Sequence, residues 1–247
     1  MTLRISTLAE RPELADAIWA MDNPWPAFMM HDPVAALYYD VCVSAYPEFV
    51  LVAEDGAEPG RLVARAFSVP FTWDREELPD GGWDTAILRA WRTRRTGEKP
   101  DAVTALEIAV RTDLLGTGLS PILLGALREN AARLGFTELL APVRPNAKHL
   151  EPRAPMAEYA SRTRPDGLPA DPWLRVHVRA GGEIVKVAPR SMTVSGTLAE
   201  WRQWTGLPFD APGPVEVPGA LTPVHCDPAQ DHAVYVEPNV WVRHPLT

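Results

Sequence analysis

The chain has 247 residues, 46% of them hydrophobic, and a formal net charge of -8 at pH 7. This length and apolar content allow one elaborated domain or two small ones around a sizeable core. The acidic balance argues against a nucleic-acid or anionic-membrane partner, because surfaces that bind phosphate need an excess of Lys and Arg.

The cysteine content and the apolar patterning predict a cytoplasmic location. Cys42 and Cys226 are the two cysteines, and no CxxC spacing occurs, so we expect free thiols in a reducing compartment. No secretory signal and no run of 18 apolar residues is present, so we expect neither secretion nor membrane insertion. The histidines are scattered without an HExxH motif, and we interpret His225-Cys226-Asp227 as a strand end; no metal is expected.

The N-terminal half shows alternating helix and strand signals. Apolar spacing and turn residues predict two short helices, then a hairpin of two strands, then a third helix. In chain order, these elements are Pro12–Met21, Pro33–Val41, Phe49–Ala53 with Arg61–Phe71, and Trp83–Arg95.

The clearest unit is a β-α-β crossover between Val103 and Pro142. A strand at Ala105–Val110 is followed by a glycine-containing turn and a helix whose apolar residues recur every three or four positions. Gly135 suits the left-handed position that ends a helix, and a second strand follows at Glu138–Val143.

The C-terminal part is less regular. We expect a long ordered loop from Pro142 to Pro172, with one helical turn near Met156–Arg162, and a short helix and proline-broken strand-like runs further on. Alternation on both sides of Ala180-Gly181-Gly182 predicts a second hairpin. These later elements are the hairpin Trp173–Val178 with Glu183–Val187, the helix Thr197–Trp204 and the runs within Val215–Val242.

The turn between the crossover strand and its helix is suited to a phosphate. Gly116 and Gly118 let the backbone approach a ligand, and the first helical turn offers N–H groups without internal partners. An ordinary turn would use the same residues. Pro121 stands where a dinucleotide fingerprint needs its third glycine, and the Gly-Lys-Ser/Thr of a P-loop is absent.

This run resembles the coenzyme A-binding motif of the GNAT N-acetyltransferase superfamily, in which a strand ending in Val precedes a Gly-x-Gly turn and a helix. Val110, Gly116, Gly118 and Leu119 match the motif in register, and the resemblance extends over residues 3–143. The sequence departs from the motif at four positions: Thr112, Leu115, Ser120 and Pro121. Since the family's phosphate contacts are largely made by the backbone, the resemblance still implies coenzyme A binding.

The resemblance implies an α+β fold with a mixed, partly splayed β-sheet flanked by helices, and coenzyme A between two diverging strands. We expect a GNAT-like domain over residues 1–188 and an extension over 189–247 that packs on it without forming an independent domain. Acetyl-CoA or another acyl-CoA would be the co-substrate. The residues expected to bind it are Ile108, Ala109, Val110, Leu115, Gly116, Thr117, Gly118, Leu119, Ser120 and Asn146.

The family's chemistry is direct attack of an amine on the thioester. Some relatives use a Glu on the strand before the motif as a base, which here is Glu107; an outward-facing, solvated Glu is the alternative. Relatives also place a Tyr near the thioester sulfur as an acid, which here is Tyr159, with a packing role as its alternative. A phenol holds its proton at neutral pH and can donate it to a thiolate.

The expected function is acyl transfer, chiefly of acetyl, to the amine of a small molecule, and a homodimer is compatible with it. Two other functions stay open: a degenerate module that binds acyl-CoA without transfer, and a thioester hydrolase or decarboxylase on the same fold. An aromatic segment matches the position of the family's acceptor pocket, although the same residues would also suit core packing. Its members are Trp25, Phe28, Met29, Met30, Tyr38 and Tyr39.

Overall fold

A computed structural model describes residues 2–22, 25–58, 60–73 and 77–246. The strands are β1 (Leu3–Thr7), β2 (Val50–Asp55), β3 (Leu62–Phe71), β4 (Ala102–Val110), β5 (Glu138–Val143), β6 (Glu183–Gly196), β7 (Gly213–Val215), β8 (Val224–Asp227) and β9 (His232–Pro245). The helices are α1 (Ala15–Ala20), α2 (Asp40–Ala45), α3 (Gly82–Thr96), α4 (Leu119–Arg133), α5 (Met156–Ser161), α6 (Pro172–Arg179) and α7 (Leu198–Thr205).

The described strands form one nine-stranded sheet in the order β1-β2-β3-β4-β5-β9-β8-β7, with β6 also paired to β9. All neighbours are antiparallel except β4 and β5, which are parallel as the crossover connection requires. The expected fold class, a mixed sheet flanked by helices, is confirmed.

The two parallel strands diverge. Their pairing is limited to Thr104 opposite Leu140, whereas β5 pairs along its whole length with β9 on its other side. The carboxyl-terminal halves of β4 and β5 therefore separate, and they leave space between them in the middle of the sheet.

Helix α4 packs across this part of the sheet. Its buried residues Leu119, Leu123, Leu127 and Ala131 form one stripe and belong to the same apolar cluster as residues of β2 to β5. Gly135 follows the helix with a φ of +90°, a conformation that few residues other than glycine adopt without strain. The helix and its end are as the sequence predicts.

The predicted second hairpin is wrong in its first half, because residues 172–179 are helical. The side chain of Asp171 accepts hydrogen bonds from the backbone N–H groups of Trp173 and Leu174, and Pro172 occupies the first helical turn. This cap stabilises a helix, although the alternation of polar and apolar residues in this segment is also typical of a strand. The second half is a strand, but it is the long β6, which pairs with β9.

The residues after 188 continue the same sheet. The predicted boundary falls inside β6, and β9 lies between β5 and β8. The side chains of Trp201, Phe209 and Tyr235 are buried with Phe28 in a second apolar cluster at this end of the molecule.

Candidate active site

An open cleft surrounds the glycine turn. Gly116 and Gly118 have φ angles of +78° and +86°, and no backbone carbonyl of the described residues accepts a hydrogen bond from either amide. A Cβ built on either glycine would meet nothing within 4 Å, so their backbone conformation, not crowding, requires glycine. The cleft encloses about 290 Å³ and is lined by Val110, Leu114, Leu115, Gly116, Gly118, Leu119, Ser120, Pro121, Asn146, Pro172, Trp173 and Val176.

A larger cavity, of about 480 Å³, lies between the diverging strands. Its walls come from residues 105–108 of β4 and 141–143 of β5, with the aromatic rings of Trp19, Tyr39 and Trp83 around them. Ser120, Asn146 and Trp173 line both the cleft and this cavity. The two spaces therefore meet at these three residues.

A buried carboxylate, Glu107, lies in the cavity wall and accepts three hydrogen bonds. Arg65 Nε lies 2.6 Å from Oε1, while Trp25 Nε1 and Tyr39 Oη donate to Oε2 over 3.1 and 3.2 Å. Burial and the adjacent carboxylate raise the pKa of Tyr39 well above its ordinary value. Tyr39 therefore keeps its proton, and the carboxylate of Glu107 is held by charge-assisted bonds.

A second buried ion pair joins Glu237 and Arg144. Arg144 Nε contacts both carboxylate oxygens at 3.0 to 3.1 Å, and Tyr235 Oη and Asn239 Nδ2 donate to the same carboxylate. The guanidinium carbon of Arg144 lies 5.8 Å from the centre of the Trp25 ring. Trp25 thus contacts both ion pairs, one through its N–H and the other through its face.

Two further carboxyl groups lie close to Glu237. Asp32 is buried and Asp84 is half-buried, and one oxygen of each has no hydrogen-bond partner among the described residues. Burial, together with the neighbouring charges of Asp32 and Glu237, raises the pKa of Asp84 to about 8. Asp84 is therefore largely protonated at pH 7.

A histidine pair lies at the other end of the cavity. His177 of α6 lines the cavity, and its Nδ1 is 2.9 Å from Nε2 of His244 on β9. Trp173, one turn earlier on α6, packs edge to face on the His177 ring with centroids 4.7 Å apart. Burial lowers the pKa of His177 to about 3 and that of His244 to about 4, so both rings are neutral at pH 7.

Most residues that the sequence predicts for coenzyme A lie together. Val110, Leu115, Gly116, Gly118, Leu119, Ser120 and Asn146 line the cleft, and Ile108 and Glu107 line the adjoining cavity. Two predicted residues do not line either space. Ala109 is buried on the other face of β4, and Thr117 turns its hydroxyl back onto the Leu114 carbonyl.

Tyr159, the acid that the sequence suggests, lies away from both spaces. Its ring is 7% exposed in the main apolar cluster, and its hydroxyl donates to Asp171 Oδ2 over 2.8 Å. Burial and this carboxylate raise the pKa of Tyr159 far above its ordinary value. Since Asp171 also caps α6, Tyr159 is bonded to the residue that holds the helix start.

The predicted aromatic wall divides into two groups. Trp25, Met29, Met30 and Tyr39 line the cavity. Phe28 packs instead against Trp201 and Tyr235, and Tyr38 packs against Trp91. The first group has the position expected of an acceptor pocket, and the second serves the core.

Sequence reasoning missed three charged or polar residues of the cavity. Arg65 interrupts the apolar strand β3, and a lone charge in a buried strand signals a buried partner. His177 follows Trp173 by four residues, a spacing that places both on one helix face once the Asp171-Pro172 start is recognised. No local signal pointed to Arg144.

No group of three His, Cys, Asp or Glu residues in the described part of the chain is arranged to hold a metal ion. Over the same residues, none of the helices combines the length and apolar character that crossing a bilayer requires. Cys42 and Cys226 are free, buried thiols, as the sequence predicts.

Comparison with known proteins shows the family. No protein-family model matches the chain. The chain is 34% identical to the arginine N-acetyltransferase avaD of Aspergillus versicolor, over 98% of this chain and 93% of that protein. Among solved structures it is similar to the loading GNATL domain of CurA from Lyngbya majuscula, with a TM-score of 0.60, 17% identity and coverage of 99% and 97% of the two chains.

A further solved structure, the GphF GNAT-like decarboxylase in complex with isobutyryl-CoA, is similar with a TM-score of 0.52 and 15% identity over the whole of both chains. At such identities these two structures show a shared fold. Together with the curated relative, they establish that this chain belongs to the GNAT superfamily. It is an acyl-CoA-dependent N-acyltransferase, and acyl-CoA is its co-substrate.

Proposed function

We propose that this enzyme transfers an acetyl group from acetyl-CoA to an amine of a small cationic amino acid, with arginine as the first candidate. The observation that carries the proposal is the continuity between the glycine-turn cleft and a cavity that contains two Arg–Glu pairs. The relative named an arginine N-acetyltransferase, 34% identical over almost the whole chain, supports this acceptor.

The cleft fits the diphosphate of coenzyme A. Gly116 and Gly118 hold the left-handed backbone that turns amides outward, and the start of α4 adds the positive end of a helix dipole. Pro121 lacks an N–H, so fewer amides serve the phosphates than in a helix without proline. The exposed Leu115 side chain borders the cleft without supplying charge.

The diverging strands fit the thioester arm. Residues 105–108 of β4 line the cavity, and pairing with β5 ends at Thr104, so backbone groups beyond this point on the β5 side can bond a substrate. In this arrangement the arm runs from the cleft past Ser120 and Asn146. The thioester then lies where the two spaces meet, near Trp173.

The larger cavity fits an acceptor that carries both signs of charge. Arg65 and Arg144 suit a carboxylate, and the carboxylates of Glu107 and Glu237 suit a guanidinium or ammonium. Trp25 and Trp83 offer flat apolar faces for the carbon chain or a cation. An amino acid with a cationic side chain satisfies these groups together.

An acceptor screen tests the proposal. Release of free thiol from acetyl-CoA is measured with arginine, with agmatine, which lacks the carboxylate, and with citrulline, which lacks the guanidinium charge. We expect arginine to give the highest kcat/KM and each analogue to lose at least tenfold. Equal rates for all three, or thiol release that needs no amine, would contradict this acceptor assignment.

A further inference from the structure

The titratable side chains that line the acceptor cavity divide by their hydrogen bonds. The carboxylates of Glu107 and Glu237 each accept bonds from an arginine and from two further donors. Tyr39 donates a hydrogen bond to Glu107 and stays protonated. These groups are therefore engaged in fixed pairs with other side chains of the cavity wall.

His177 differs from these groups. Its Nδ1 is bonded to His244, and no hydrogen bond involves its Nε2 among the described residues. His177 is 3% exposed and lines the cavity. His177 is also one turn from Trp173, which marks the meeting point of the cleft and the cavity.

The second histidine orients the first. Nδ1 of His177 faces Nε2 of His244 at 2.9 Å, and Nδ1 of His244 is buried without a hydrogen-bond partner among the described residues. In the tautomer that proton transfer requires, Nδ1–H of His177 donates to Nε2 of His244, which leaves the lone pair of His177 Nε2 free. Arg128 of α4 is the charged group that faces His244.

The space around this pair is closely fitted. A Cβ built on Gly182 would lie 2.6 Å from Cε1 of His244 and 2.8 Å from the His177 carbonyl. Glycine at this position therefore leaves the room that the His244 ring occupies. The two rings are held with centroids 5.1 Å apart between α6 and β9.

We propose that His177, oriented by His244, is the catalytic residue that moves the proton from the acceptor nitrogen to the departing sulfur. The neutral amine attacks the carbonyl carbon, an N–C bond forms, and the carbonyl electron pair moves onto oxygen. Nε2 accepts the proton that the nitrogen loses. When the carbonyl re-forms, the C–S bond breaks, the pair leaves with sulfur, and Nε2–H returns the proton to it.

This cycle returns His177 to its starting state, and nothing is oxidised or reduced. Burial keeps His177 neutral before the reaction and favours loss of the proton from its protonated form. A thiolate therefore takes the proton readily. The assignment of His177 rests on the proposed function, because it requires acetyl transfer to an amine at this site.

Two variants test it, with acetyl-CoA thermal shifts as the check on folding and on the cleft. His177→Gln keeps a hydrogen-bonding group beside His244 and removes the base. His177→Ala opens space that free imidazole can enter. We expect kcat to fall about 100-fold or more in both, with the acetyl-CoA shift retained. The matched control is His232→Gln, an exposed histidine on β9 that should leave kcat unchanged.

Rescue distinguishes proton transfer from packing. Added imidazole should raise the rate of His177→Ala at least tenfold. The pH dependence of this rescued rate should show an inflection near the pKa of the added base, about 7. The wild type should show no such inflection. Rates are measured with the amine that reacts fastest in the wild type. If arginine is not acetylated, the proposed acceptor is wrong, but the His177 variants can still be compared with the wild type on that amine.

Two results would overturn the assignment. One is a His177→Gln enzyme with kcat within threefold of the wild type. The other is an inactive His177→Ala enzyme that binds acetyl-CoA and gains nothing from imidazole, which would leave His177 a packing role. If His177→Ala does not fold, the kcat of His177→Gln decides.

Discussion

Arg65 and Glu107 form an ion pair inside the sheet, with Nε and Oε1 2.6 Å apart and only 3% and 6% of their side chains exposed. Arg65 Nη1 also donates to the Ile18 carbonyl, so the guanidinium joins β3, β4 and α1. Removing one charge leaves the other buried without its partner, which costs far more than removing both.

Glu107→Gln should therefore lower the free energy of unfolding by about 3 kcal/mol. The double variant Arg65→Met with Glu107→Met should lose less than Glu107→Gln, because no unpaired charge remains. Urea unfolding of the wild type, Arg65→Met, Glu107→Met and the double variant gives the comparison. A double variant that loses the sum of the single losses would show that the pair is not coupled.

Gly118→Ala should weaken acetyl-CoA binding at least tenfold, because a Cβ on this left-handed residue projects into the cleft that the diphosphate needs. The matched control is Gly206→Ala, at the end of α7, which has a similar φ of +72° and equally open surroundings. Both variants should lose about 1 to 2 kcal/mol of stability from the positive φ. Calorimetric titration with acetyl-CoA should separate them, and equal affinities would remove the cleft from the binding site.

Tyr159→Phe should destabilise the fold by about 1 to 2 kcal/mol and leave kcat within twofold of the wild type. The substitution removes the hydrogen bond that the Tyr159 hydroxyl donates to Asp171, the residue that caps α6. Thermal melts and initial rates on the same preparation measure both effects. A hundredfold lower kcat with unchanged melting temperature would instead support the role of acid that the sequence suggests for Tyr159.

Asp84→Asn should stabilise the protein more at pH 8 than at pH 5. The pKa of Asp84 is raised from 3.8 to about 8 in the folded state, so between these values the unfolded chain releases a proton that the folded chain retains. Stability then falls as pH rises through this window and is unaffected by Asp84 below it. Because the variant lacks this titration, the gap between the two melting temperatures should widen with pH.

The local elements of this fold are largely legible from the sequence, because their signals lie within a few residues of each other. The stripe of α4 ends at Gly135, and α7 begins next to Thr197 as expected. In the structure Thr197 and Glu200 form a capping box at this start. The missed helix α6 also had a local signal, Asp171 followed by Pro172. The alternation over Trp173–Val178 favours a strand, whereas the Asp171-Pro172 cap favours a helix, and the helix forms.

The cavity was less legible, because its contacts join residues far apart in the chain. From the sequence alone, Glu107 is compatible with a solvated strand residue. Its buried partner Arg65 lies 42 positions earlier in the chain. The pairing of His177 with His244 spans 67 positions and depends on β9 lying next to β5. Spacing along the chain carries no information on such pairs without the strand order.

The junction at Ser120, Asn146 and Trp173 has a consequence for inhibitor design. Because the cleft and the cavity are continuous there, one molecule that covalently joins an arginine-like head to a coenzyme A tail could occupy both at once. Tethering raises the effective concentration of the second half, so such a bisubstrate compound should bind orders of magnitude more tightly than either half alone.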